Sequence, residues 1–74
     1  MDNNHNEAVA AEVRAALARS KRQVKDVAHV LGVSTHSASR KVNGHVPLTA
    51  VDLILIATLT GTSPAQFFPS KVAA

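Results

Sequence analysis

Val24-Lys25-Asp26-Val27-Ala28-His29-Val30-Leu31-Gly32-Val33-Ser34-Thr35-His36-Ser37-Ala38-Ser39-Arg40-Lys41-Val42-Asn43-Gly44 holds two helical segments of unlike character. In the first, Val24, Val27, Ala28 and Leu31 recur at i, i+3, i+4 and i+7, which gathers them on one side of a helix of about two turns. Gly32 ends it, supplying the left-handed residue that helix C-termini commonly use. The second opens at Ser34, whose hydroxyl can accept from the first free amides, and closes at Asn43-Gly44. Only Ala38 and Val42, four apart, are apolar there; the other positions carry hydroxyl, imidazole and cationic groups. A helix so poor in core residues gains little from burial, so its polar side is predicted to serve a ligand. Gly32 permits a sharp turn between the two helices, Val33 is expected to plug the junction, and Ala38 allows close approach.

The flanks read as further helices. From Glu7 to about Arg19, Val9, Val13, Ala16 and Leu17 fall at i, i+4, i+7 and i+8, on one helical face. Beyond the break at Pro47, Thr49 and Asp52 have capping-box spacing ahead of Leu53, Ile56 and Ala57, and Gly61 ends that helix. Ser63-Pro64-Ala65-Gln66 combines an N-cap, a proline at the first helical position and a glutamine at the third, predicting a short fifth helix. It carries Phe67 and Phe68, both expected in the core. No segment reads as a strand. With 74 residues there is room for one modest core. The expectation is an all-α, compact five-helix bundle over residues 7–69, with a disordered polar tail at 1–6 and a C-terminal tail at 70–74.

Charge is segregated along the chain. Arg14, Arg19, Lys21, Arg22, Lys25, Arg40 and Lys41 face only Asp26 between Arg14 and His45, a local balance of +6 within a net charge of +3. The remainder is acidic on balance, through Asp2, Glu7, Glu12 and Asp52 against Lys71. This is the footprint of a face that binds a polyanion, or else of a solvated surface without a partner.

Several chemistries are disfavoured. The chain has no cysteine, so neither disulfides nor thiolate metal sites reinforce it, and a reducing cytoplasm suits it. His5, His29, His36 and His45 lie on different elements without zinc-like spacing, so no metal and no cofactor is expected. The serines sit in no Gly-x-Ser-x-Gly elbow, and without tyrosine there is no tyrosine-nucleophile chemistry; no enzyme is expected. The longest apolar run, Val51 to Leu59, is interrupted by Asp52 and too short to span a bilayer, and the N-terminus has no targeting signal, so no membrane partner is expected.

Taken in order, Val27-Ala28, Leu31-Gly32-Val33-Ser34, Ala38-Ser39-Arg40-Lys41-Val42-Asn43-Gly44, Pro47-Leu48-Thr49, Ile56-Ala57, Gly61 and Ser63 resemble a Xre/Cro-type, lambda-repressor-like helix-turn-helix domain, over about Val9 to Phe68. The Ser-Arg-Lys-apolar-Asn-Gly ending resembles phage and prophage repressors. The resemblance implies a sequence-specific regulator that occupies a double-stranded DNA operator, in the manner of an immunity or Cro-like repressor. It implies base contacts from Thr35, His36, Ser37 and Arg40, with Arg40 the foremost, since a guanidinium can bond guanine O6 and N7 together. Arg40 on a phosphate or a surface carboxylate is the alternative. Backbone contacts are implied for Asn43, Gly44 and His45, with Ser39, Lys41, Gln23 and Lys25 in support. Val24 stands where the family often has a glutamine, so Gln23 or Lys25 takes over that contact.

With Leu53, Ile56 and Ala57 turned inward, Val51 and Leu55 fall outside with Leu59 nearby. This stripe either mediates weak homodimerisation or contact with a partner protein, or is buried against the first helix or the tail at Val72. Two other functions remain open: an antitoxin-type regulator that lends this face to a toxin, and a protein-interaction adaptor that reads no DNA. The chain could also be the N-terminal part of a longer repressor.

Overall fold

The structure is a computed structural model that describes residues 2–68, with side chains from Asn6 onward. Four α-helices follow one another: α1 (Asp2–Ser20), α2 (Val24–Leu31), α3 (Thr35–Val42) and α4 (Ala50–Thr60), and among the described residues there is no strand. The polar stretch at 2–6, expected as a disordered tail, is instead the first turn and more of α1. Tail residues 70–74 lie outside the described residues.

The expected fifth helix is a correction. Pro64–Phe67 forms a single 3-10 turn, and Phe68 is already extended at φ −96° and ψ 135°. The residue before a proline is driven out of the α region by the proline ring, and Pro69 follows Phe68. The turn therefore cannot propagate. The two aromatics separate as a result: Phe67 is buried, whereas Phe68 is exposed.

The core draws on every element. Val13, Ala16 and Leu17 of α1, Val27 and Ala28 of α2, Ala38 and Val42 of α3, and Leu53, Ile56 and Ala57 of α4 close around Phe67. Val9, Val24, Leu31, Leu48 and Leu59 rim it. Packing links α2 to α3 and α4, and α1 to α3, α4 and the 3-10 turn.

The helix ends explain why the chain breaks where it does. Ser34 Oγ accepts from Ser37 N at 3.1 Å, and Thr49 and Asp52 exchange bonds of 3.0 Å in each direction, side chain to backbone N–H. Asp26 Oδ2 accepts from Gln23 N at 2.8 Å, tying down the start of α2. All four helices finish with the same pair of reverse bonds, seen for example in Val33 N to Ala28 O and Gly32 N to His29 O. In three of them the left-handed residue is glycine, at Gly32, Gly44 and Gly61; after α1 it is Lys21, with φ 60°. A side chain in that region costs roughly 1–2 kcal/mol.

Candidate nucleic-acid interface

The outward side of α3 follows from its inward one. Ala38 and Val42 are buried, and at roughly 100° per residue the opposite side is centred on His36, Arg40 and Asn43, all exposed. Thr35 is exposed and Ser39 half-buried on one flank; Ser37 is half-buried on the other. The helix thus brings Thr35, His36, Ser39, Arg40 and Asn43 onto one continuous face. Asn43 Nδ2 donates to Ser39 Oγ at 3.2 Å within it, and Ser37 is engaged with Ser34 at the cap.

Lys41 does not join that face. Its Nζ lies 2.6 Å from Asp52 Oδ2, with side chains only 19% and 12% exposed. It is a strut between α3 and the first turn of α4, so the cation expected at a phosphate is engaged within the fold. Burial alone would raise the Asp52 pKa, but the Lys41 ammonium donating to it, the Thr49 N–H and the Lys41 charge outweigh that and hold the carboxyl below its usual value.

Arg14, counted among the cations from sequence, is a second strut. Its Nη1 donates to Val42 O at 2.9 Å and its Nη2 pairs with Glu7 Oε2 at 2.8 Å, so α1 holds the last carbonyl of α3. Nothing in the sequence signals a contact across 28 positions.

The loop after α3 also differs from expectation. The amides of Asn43, Gly44, His45 and Val46 are consumed in closing the helix, on carbonyls of Ser39, Lys41 and Arg40. Only the exposed side chains of Asn43 and His45 are left to meet a ligand. Gly44 is half-buried at φ 84°, and a Cβ there would lie 2.7 Å from Glu7 Oε1, so its glycine serves the turn and the approach to α1. Val33 is exposed rather than plugging the junction; its backbone N–H closes α2 instead. Gln23 and Lys25 are both exposed at the start of α2.

A family model described as the BetR domain matches residues 4–73. The chain belongs to the BetR domain family. No curated protein and no solved structure matches it significantly.

In this BetR domain the exposed large apolar side chains of α4 and the segment after the 3-10 turn differ from the stripe expected from the sequence. Val51, Ile54 and Phe68 are 62%, 54% and 48% exposed. Leu55 is half-buried and Leu59 packs against the core rim. No helix among the described residues is long and apolar enough to cross a membrane.

Proposed function

We propose that this BetR domain is a sequence-specific double-stranded DNA-binding regulator, acting as a helix-turn-helix of the Xre/Cro, lambda-repressor-like kind and repressing by operator occupancy. The observation that carries this reading is α3. It joins α2 through the three-residue turn Gly32-Val33-Ser34, gives the core two small side chains, and turns His36, Arg40 and Asn43 outward. A helix of that width fits the major groove, where such side chains can distinguish base pairs. Arg40 is the principal base reader, with Thr35, His36 and Ser37 beside it; Gln23, Lys25, Ser39, Asn43 and His45 are the contacts proposed for the DNA phosphate backbone.

The test is selection of bound duplexes from a random pool at near-physiological salt, with Arg40→Ala in parallel. An enriched motif that loses preference at one position in the variant, by about 1–3 kcal/mol of discrimination, is the expected result. Full preference retained by the variant refutes the role of Arg40.

A second reading rests on the exposed Val51, Ile54 and Phe68, which suit a protein partner, as in an antitoxin or an adaptor. Absence of any enriched motif moves the function to that face.

A further inference from the structure

Subtracting the two struts leaves five exposed basic side chains between Arg14 and His45, and they are not where the reading helix is. Only Arg40 is on α3; Arg19, Lys21, Arg22 and Lys25 crowd the corner where α1 gives way to α2. Among the described residues, Arg14 and Lys41 are paired with acids and none of these four is. The acid closest in sequence, Asp26, has its carboxylate on the Gln23 N–H. Four like charges concentrated in this way repel one another unless a polyanion neutralises them.

The backbone supplies an independent observation. Lys21 occupies at φ 60° the helix-ending position that is glycine after α2, α3 and α4. Glycine would relieve that strain without disturbing the bonds Lys21 N to Ala18 O and Arg22 N to Leu17 O, which are made by backbone alone. A strained residue where the fold does not require its side chain is a candidate functional position.

We infer that Arg19, Lys21 and Arg22, continuing into Lys25, form a clamp for the DNA phosphate backbone that supplies most of the sequence-independent affinity, while Arg40 supplies discrimination. The clamp rests on the DNA-binding reading above and assigns it a division of labour. Each cation that neutralises a phosphate contributes a slope of about −0.9 to log affinity against log salt.

The experiment compares the native chain, Lys21→Gly, Arg22→Ala and Arg40→Ala on a selected duplex and a scrambled one, from about 50 to 200 mM salt, with thermal melts alongside. Lys21→Gly is expected to flatten the slope by about 0.9, so that affinity falls roughly three- to fourfold less over that range. It should weaken both duplexes alike, leave their ratio unchanged, and raise the melting temperature by about 4 °C or more. Arg22→Ala should flatten the slope by the same amount, whereas Arg40→Ala should change the ratio.

An unchanged slope in Lys21→Gly overturns the clamp while leaving the DNA reading intact. A lower melting temperature overturns it too, because Lys21 would then be stabilising the end of α1. No affinity of the native chain for either duplex overturns both readings together.

Discussion

Replacing Asp52 by asparagine probes the strut that sets α3 against α4. Asparagine keeps an oxygen for the Thr49 N–H, so the cap survives, but it leaves the Lys41 ammonium facing a neutral amide in a site where its side chain is four-fifths buried. Breaking a fully buried ion pair costs about 3–5 kcal/mol. An exposed pair contributes less than about 1 kcal/mol. A pair buried to this degree lies between, near 2 kcal/mol, out of a total stability of about 4–11 kcal/mol for a chain of this length. The melting temperature at pH 7 should fall by roughly 8–16 °C.

The effect carries a pH signature. Because the folded carboxyl titrates below the usual aspartate value of 3.8, its contribution is complete above that value and is lost as pH falls through the folded one. Urea melts of both chains at pH 7 and at steps below 4 should therefore show the gap shrinking with acid. A difference under about 0.5 kcal/mol at pH 7, the scale of an ordinary surface substitution, or a gap that persists undiminished to pH 2, refutes the reasoning.

Two further substitutions test the packing behind α3. Gly44→Ala combines a left-handed backbone with a Cβ that displaces Glu7 from Arg14; since Glu7 can swing into solvent, strain dominates, and denaturant melts should show a loss of about 1–2 kcal/mol. Phe67→Ala removes the largest buried side chain of a core that every helix touches, so a loss of about 3–5 kcal/mol should lower the melting temperature followed by circular dichroism by roughly 12–40 °C.

Local signals in the sequence were faithful where the structure depends on local bonds. The caps at Ser34 and Thr49 and the ends at Gly32 and Gly61 are decided by bonds spanning at most five positions, and each forms where the spacing predicted. Legibility failed where two distant segments meet. The Lys41–Asp52 and Arg14–Val42 contacts have no periodic signature, so both cations read as surface charge. In α4, nearly every position is apolar, so periodicity could not say which side faces inward; Ile54 was missed and Leu59 misassigned. The polar start of α1 concealed a helix because polarity argues against burial and says nothing against helical backbone. For the candidate face, the outward residues of α3 were legible in the sequence, but which cations were already committed to the fold was not.

The inner side of α3 is secured by Ala38, Val42, the Lys41 strut, the Arg14 bond to its last carbonyl, and the Ser34 cap before it. None of these residues is exposed on the outer face at 35, 36, 39, 40 and 43. The side chains that fix α3 in place and those it turns outward are thereby different residues. Substitutions at the outer positions can be drawn from nearly any helix-compatible residue without pushing the chain below its folding threshold. On the proposed DNA-binding reading, the outward side of α3 can change its preference while the scaffold behind it stays the same.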